Sequence, residues 1–355
     1  MNIRPRAVDW ALLGLITVEF LSGLISFTVG RPEGQWLFVA HGIVGLSIIF
    51  LLVFKFRRVH RRLTEPRRWQ PATIVSALLA LTAIASLATG IIWTAFQWPL
   101  GYPNGMILHT TFGILLLLLA LWHMVLRYKP LKRRDVTDRR SVLTGLAVLA
   151  GGGLAWLSQD GITKTASLPG ASRRFTGSRH TGDGQGNGSF PVTMWMFDRP
   201  TPLDLERYRL TITGLVGQRS QYDLVQLGVL PATTLVATID CTGGWYSTQE
   251  WRGIRVGDLL DRSGLDPAAR HVRFVSSTGY RWSLPLAEAQ DALLATHVGD
   301  EMLSHGHGAP LRLVAPGRRG FQWVKWVVAL DVTEHADLGQ WQAIFTSGLD
   351  RAHVR

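Results

Sequence analysis

The sequence predicts a membrane-embedded α-helical bundle of five transmembrane helices, followed by an α+β domain. Three observations predict it. Five apolar segments are long enough, or nearly so, to span a bilayer as helices. Lys and Arg gather in short stretches between alternate segments. Beyond residue 190 the long apolar runs give way to short alternating runs separated by Gly and Pro, the period of strands. Composition agrees: a formal net charge of +12 with 47% hydrophobic residues suits neither an ordinary soluble globule nor a disordered chain. The cations lie between apolar runs, so nucleic acid is not an expected partner, whereas membrane lipid is. A single cysteine in 355 residues excludes an internal disulfide framework.

The five segments are roughly Trp10–Val29, Trp36–Phe56, Ile74–Phe96, Met106–Leu126 and Val142–Leu157. Arg57, Arg58, Arg61, Arg62, Arg67 and Arg68 follow the second. Arg127, Lys129, Lys132, Arg133, Arg134, Arg139 and Arg140 follow the fourth. The loops after the first and third carry almost no charge. Cationic loops stay in the cytoplasm, so the expected topology is multi-pass, with a cytoplasmic N-terminus and everything after the fifth helix outside.

The first four segments contain an internal repeat. Ser22-Gly23-Leu24-Ile25 matches Thr89-Gly90-Ile91-Ile92, and His41-Gly42-Ile43-Val44-Gly45 matches His109-Thr110-Thr111-Phe112-Gly113. Both histidines begin an H-x-x-x-G pattern, 68 positions apart, near the outer ends of helices that run the same way. An ionisable group inside a membrane is costly and marks a candidate site. Two facing imidazoles suit haem iron as axial ligands, and a glycine one turn on leaves room for a flat macrocycle. The alternative is a pair of histidines that hydrogen-bond between helices. The segment resembles small four-helix b-type cytochromes, which implies haem b held between His41 and His109. His123 lies close to four helical turns after His109 and could ligate a second haem. Its evident partner is His60, in a basic loop, while Lys55 stands nearly where the repeat would place one. Glu19, mid-helix, could serve proton or quinone chemistry, or be a neutral hydrogen-bonded carboxyl.

Thr137-Asp138-Arg139-Arg140-Ser141-Val142-Leu143, before the fifth segment, resembles a twin-arginine export signal, although positive flanking alone accounts for the arginines. Residues 1–158 thus form the membrane domain, with the fifth helix as anchor. Residues 159–189, rich in Gly, Ser, Thr and Gln, read as a linker that packs little core of its own. Residues 190–355 form the outer domain. Its expected strands include Tyr208–Ile212, His271–Val275, Leu311–Val314 and Trp326–Val332, with short helices at Val256–Arg262 and Leu286–Ala295.

The lone cysteine ends one further strand. Leu235-Val236-Ala237-Thr238-Ile239 is apolar and β-branched, and Gly243-Gly244 stops it, so Cys241 sits where a strand meets a turn. Downstream, His305-Gly306-His307-Gly308-Ala309-Pro310-Leu311-Arg312 precedes Val314-Ala315-Pro316-Gly317 and Val324-Lys325-Trp326. These HG-x-P-x-R, V-x-PG and VKW elements resemble the pterin-binding segment of the sulfite oxidase family of molybdopterin oxidoreductases. The Cys241 segment, with Trp251-Arg252-Gly253, resembles that family's molybdenum-ligating segment.

The resemblance covers roughly residues 190–335. It implies a sulfite-oxidase-like α+β fold and a molybdenum–molybdopterin cofactor, with Cys241 as metal ligand and catalytic centre. His307, Arg312 and Lys325 would hold the pterin, with Thr193, Trp195 and Arg319 also lining it. A soft thiolate suits a high-valent metal, and cationic groups suit a phosphate. The pattern departs from sulfite oxidases where they carry an Asn-Arg pair, here Gly244 and Trp245, and a tyrosine, here Thr296. The spacing Cys241…Trp245…Trp251 is closer to the catalytic subunit of the bacterial methionine sulfoxide reductase system. The expected function is a bacterial inner-membrane oxidoreductase with its catalytic domain in the periplasm. It would pass electrons from membrane quinol through haem to molybdenum and reduce a small S-oxide or N-oxide. Oxidation of sulfite or another sulfur compound into the quinone pool is the alternative direction. A non-catalytic cytochrome with a partner-binding outer domain is the alternative class.

Overall fold

The computed structural model describes residues 4–65, 67, 69–98, 103–132, 135, 139–184, 186–195 and 197–349. They fall into two compact units that divide between Arg179 and His180. Thr137 and Asp138 of the export-like stretch lie outside the described residues, as do Arg68, Arg133, Arg134 and Gln185.

The first unit holds α1 (Pro5–Ser26), α2 (Gln35–Thr64), α3 (Pro71–Phe96), α4 (Gly105–Arg127) and α5 (Arg139–Thr165). Pro5 and Pro71 open their helices where a missing N–H costs nothing. Asn104 caps α4 by accepting from the Ile107 N–H at 3.0 Å. The helices pair as α1 with α2 and α3 with α4, so the sequence repeat is also a structural one. Each of the five is long and apolar enough to cross a bilayer. Leu81, Leu118, Val125 and Leu154 point outward, whereas Ser22, Ser47, Thr82 and Ser86 are buried. Large aliphatic residues outside and small polar ones inside suit a bundle whose solvent is lipid. His60, expected in a loop, stands exposed on the last turns of α2.

Helix α5 is longer than its apolar run and packs along α2. Gly152 meets Ser47 and the Ile43 carbonyl so closely that a Cβ there would collide with both. At Gly151 a Cβ would stand 3.3 Å from the Phe50 ring. Small residues thus set the contact, as they do between membrane helices.

The stretch expected to be a loose linker is packed. Its first part belongs to the helical unit: Trp93 Nε1 and Gln97 Nε2 both donate to the Gly177 carbonyl, at 2.9 and 3.0 Å. Gly170 lies so tightly on the Thr94 and Ala95 carbonyls that no side chain fits. Its second part belongs to the sheet unit, where Asp183 accepts from the Thr248 N–H at 2.6 Å and Asn187 Nδ2 donates to Glu301 at 2.9 Å. Small polar residues here serve close approach, not slack.

The second unit contains ten strands in two sheets among the residues from 210 to 333. These are β1 (Leu210–Gly214), β2 (Ser220–Tyr222), β3 (Thr233–Cys241), β4 (Trp245–Arg255), β5 (His271–Ser276), β6 (Arg281–Pro285), β7 (Leu293–Val298), β8 (Glu301–Met302), β9 (Arg312–Val314) and β10 (Val327–Thr333). One sheet runs β3-β4-β7-β9 with β8 on the edge of β7, all antiparallel. The other runs β2-β1-β10-β5-β6, with β1 and β10 parallel. Short helices α6 (Leu224–Gly228), α7 (Val256–Ser263), α8 (Leu286–Asp291) and α9 (Gln340–Thr346) complete this mixed α+β unit. Trp251, Trp323, Phe274, Leu210, Leu293 and Leu294 are among the side chains buried completely in its core.

The expected helix Leu286–Ala295 ends early, at Asp291, and Leu293–Val298 becomes β7. Ala292, Leu293, Leu294 and Ala295 are all buried. A short run apolar on every side reads equally as helix or central strand. Pairing with both β4 and β9 decides for strand.

Candidate functional site

In the sheet unit, Cys241 is the last residue of β3 and pairs with Trp245, the first of β4. Gly244 takes a positive φ of 91° in the turn between them, and its N–H donates to the Cys241 carbonyl at 3.0 Å. The thiol is buried, and Sγ accepts from the Gly243 N–H at 3.3 Å. Thr193 Oγ1 lies 3.7 Å away. Burial pushes the thiol pKa up, while the Gly243 N–H, Thr193 and Arg319 pull it back. A cationic cofactor centre would have to draw off that proton on binding.

Three of the expected cofactor residues converge near this thiol. Arg312, on β9, is 2% exposed. Its Nη1 donates to the His307 carbonyl at 3.0 Å, and the guanidinium stands over the Trp251 and Trp323 rings. Its Nε is buried without a hydrogen-bond partner. Lys325 Nζ donates to the Thr193 and Gly306 carbonyls at 2.8 and 2.6 Å. Burial, then Arg312, hold the Lys325 pKa down at about 7, with Cys241 and Asp198 acting the other way. Burial likewise lowers Arg312 to about 10. Thr193 joins the group through both its hydroxyl and its carbonyl.

The remaining expected residues make close contacts within the protein. His307 is 3% exposed, and both ring nitrogens are engaged: Nε2 donates to the Phe190 carbonyl at 3.2 Å, and Ser304 Oγ lies 2.8 Å from Nδ1. Burial, with Arg312 and Lys325 beside it, holds its pKa at about 4. Arg319, read as a cofactor contact, instead turns back on the cysteine strand. Its Nη1 pairs with Asp240 at 3.2 Å and its Nη2 donates to the Cys241 carbonyl at 3.2 Å. Trp195 stands against Tyr280 and Phe321, ring centroids 6.3 Å from each. Arg318 pairs with Glu288 at 2.7 Å. The close approach of Gly320 is to protein also: a Cβ there would lie 3.3 Å from Cys241 Cα.

Sequence reasoning missed Asp240 as part of this arrangement, and read Phe190 only as one of a segment, 190–195, that lines the cofactor. Asp240 precedes the cysteine, and an acid at the buried end of an apolar strand is itself a signal that a cation must meet it. Phe190 packs on His307 with ring centroids 4.2 Å apart and also touches Trp245 and Trp251. No spacing rule announces it.

The donor set suits an anionic cofactor that carries a metal. Among the described residues, no carboxylate forms a close ion pair with Arg312, which is buried, or with Lys325, which is half-buried and feels Asp198 at longer range. Arg312 Nε and the buried Trp245 Nε1 are orphaned donors. A buried guanidinium with an orphaned N–H, and a half-buried ammonium beside the same thiol, leave room for negative charge to be brought in.

In the helical unit, His41 and His109 come together from α2 and α4, with ring centroids 6.0 Å apart at 89°. Each is supported by its repeat partner helix. Ser22 Oγ on α1 lies 2.9 Å from His41 Nδ1, and His109 Nδ1 donates to the Ser86 carbonyl on α3 at 2.9 Å. Gly23 faces His41 and Gly90 faces His109, where a Cβ would lie 3.6 and 3.0 Å from the respective Cε1. His41 Nε2 also meets Glu19 Oε2 at 3.2 Å. Gly45, expected to make room for a macrocycle, faces that carboxylate; Gly113 faces open space. His123 lies further along α4, with Nδ1 3.2 Å from Ser76 Oγ.

Comparison with known proteins identifies the sheet unit. Residues 198–341 match the family described as "Oxidoreductase molybdopterin binding domain". Sulfite oxidase of Arabidopsis thaliana is 29% identical over 180 residues, 39% of this chain and 46% of that protein. Mitochondrial sulfite oxidase of Macaca fascicularis is 32% identical over 176 residues, 40% of this chain and 32% of the other. The "Putative protein-methionine-sulfoxide reductase subunit YedZ1" of Azospira oryzae is 29% identical over 148 residues, 41% of this chain and 56% of that one. The chain spans less than half the length of these sulfite oxidases. Its residues 198–341 thus match a molybdopterin-binding oxidoreductase domain.

Proposed function

We propose that this chain is a membrane-anchored molybdenum enzyme that takes electrons from the quinone pool and reduces a small S-oxide or N-oxide on the outer face of a bacterial inner membrane. The observation that supports the catalytic half best is the placement of two cations beside Cys241: Arg312, buried with an unpartnered Nε, and Lys325, half-buried with only the more distant Asp198 carboxylate acting on it. When bound, molybdenum–molybdopterin supplies oxygen-atom transfer coupled to a two-electron change. Cys241 contributes the thiolate ligand. Lys325 and Arg312 receive the cofactor's anionic groups, and on doing so Lys325 holds its proton more firmly. Thr193 steadies the sulfur. The Asp240–Arg319 pair fixes the end of the strand that presents it. Gly244 and Trp245, in place of the polar pair of sulfite oxidases, favour a less charged substrate than sulfite dianion.

The helical unit would anchor the enzyme and carry electrons. Haem b between His41 and His109 supplies single-electron transfer. The Nδ1–H of His109 is committed to Ser86, which leaves its Nε2 lone pair for a metal. His41 would exchange its Nε2 contact with Glu19 for the same purpose. Five helices with outward aliphatic faces support the membrane reading.

Metal analysis and turnover test the proposal together. Purified protein should contain about one molybdenum per chain and oxidise its reduced haem when methionine sulfoxide or trimethylamine N-oxide is added. Cys241→Ser should lower turnover by more than about a hundredfold, beyond what loss of an outer-shell contact costs, with the haem spectrum unchanged. Haem without molybdenum would leave the carrier reading. Reduction of the haem by sulfite would reverse the direction.

A further inference from the structure

The helical unit encloses a cavity of about 1000 Å³ at the end where α1 and α3 begin and α2 and α4 finish. Its walls come from these four helices. The inner part is apolar, with Leu12, Ile16, Ile48, Ala83, Leu116 and Ala120. The opposite part is polar, and there Lys55 on α2 and His123 on α4 both line it.

These two residues are related by the internal repeat. The offset that takes His41 to His109 (109 − 41 = 68) also takes Lys55 to His123 (123 − 55 = 68). Their supports correspond too, by the offset of Gly23 and Gly90 (90 − 23 = 67), which takes Asp9 to Ser76 (76 − 9 = 67). Lys55 Nζ donates to Asp9 Oδ1 at 2.6 Å, and Ser76 Oγ lies 3.2 Å from His123 Nδ1. The repeat has therefore built two sites at opposite ends of one bundle. One end retains two histidines. The other retains one histidine and sets an ammonium, held by a carboxylate, in the place of the second.

A haem held by two histidines does not suit such a pair, since Lys55 is committed to Asp9 and is a hard, strongly hydrated cation. The pair suits a flat ring with an oxygen at each end. An ammonium donates to one oxygen, and an imidazole fixed at Nδ1 offers Nε2 to the other. The apolar inner wall suits a hydrocarbon tail, and the volume lies at the upper end of ordinary small-molecule pockets. We propose that this cavity binds the head group of a membrane quinol or quinone, with Lys55 and His123 as the two head-group contacts. The inference rests on the reading of the quinone pool as electron source, and it concerns binding, which is measured apart from turnover.

The test is titration of the purified full-length protein in detergent with decylubiquinone. Trp10 lines the cavity, so its fluorescence, taken as the difference between wild type and Trp10→Phe, reports occupancy. Saturable quenching is expected, weakened at least about tenfold by Lys55→Met and by His123→Leu, as loss of one hydrogen bond from a charged or oriented group would give. Leu154→Ala, on the outward face of α5 and away from the cavity, should leave the quenching unchanged. Quenching that is unsaturable, or equal in all variants, overturns the proposal. Displacement by dioleoylphosphatidylglycerol at equal concentration would assign the cavity to lipid. Two haems per chain, one of them lost in His123→Leu, would assign it to haem. If binding is as expected but quinol-driven turnover is absent, the electron route falls and the site stands.

Discussion

Asp240 and Arg319 are 1% and 4% exposed, and their ion pair lies directly behind the cysteine, with Arg319 also holding the Cys241 carbonyl. Removing one member of such a pair leaves a charge buried alone, which costs about 3–5 kcal/mol. Asp240→Asn should therefore lower the denaturation midpoint of the sheet unit, measured by near-ultraviolet circular dichroism, much more than Asp204→Asn at an exposed position. His307 makes a second prediction at this scale. Its folded pKa is about 4 against an ordinary 6.5, with burial as the main cause, so the unfolded chain binds more protons between those values. Stability then rises with pH from about 4 to about 6.5 and is lost as pH falls through that window, by up to about 3 kcal/mol. Denaturation of wild type and His307→Gln at pH 4.5 and 7 checks this, since the glutamine variant should lose the dependence. Residue types near the site were legible in the sequence, but their direction was not. An arginine beside a cofactor motif can face the cofactor or brace the strand behind it, and only packing against Asp240 decides.

At the scale of elements, hydropathy and charge made the five long helices legible. The strands Leu210–Gly214, His271–Ser276 and Val327–Thr333 were equally plain, because alternation along a half-buried strand leaves its own period. The stretch after α5 was misread because Gly and Ser mark loops and close contacts alike. Gly170 presses on α3, and Gly151 and Gly152 of α5 press on α2. Gly152→Leu should force α5 away from Ser47 and Ile43, at about 1–3 kcal/mol for the overpacked contact. A cysteine pair introduced at Ser47 and Gly152, where a Cβ on the glycine would lie 3.1 Å from Ser47 Cβ, should cross-link readily in a Cys241→Ser background, and less readily when Gly151→Leu is added. Unchanged cross-linking would show that α5 does not depend on this contact.

The whole molecule combines an oxidoreductase domain with a helical unit whose histidine pair was legible from a repeat alone. The coupling of the two is tested by His41→Ala and His109→Ala. Each should remove haem absorbance almost completely, because one lost axial ligand leaves the other alone. Quinol-driven turnover should stop, while turnover with reduced viologen, acting directly at the molybdenum, should survive. Retention of both haem and quinol-driven turnover in His41→Ala would reduce the pair to an interhelical contact worth about 1 kcal/mol.

The repeat unit is a helical hairpin, α1 with α2 and then α3 with α4, and parity follows from that. Two antiparallel helices return the chain to the end of the bundle from which it started, so a second copy of the hairpin runs with the same polarity as the first. Any side chain then finds its duplicate at equal depth, related by an axis that runs along the bundle instead of across it. A duplicated unit of one or three helices would have sent the second histidine to the opposite surface. An even count lets one ancestral imidazole become a facing pair by duplication alone, and leaves each end of the bundle free to diverge in its chemistry.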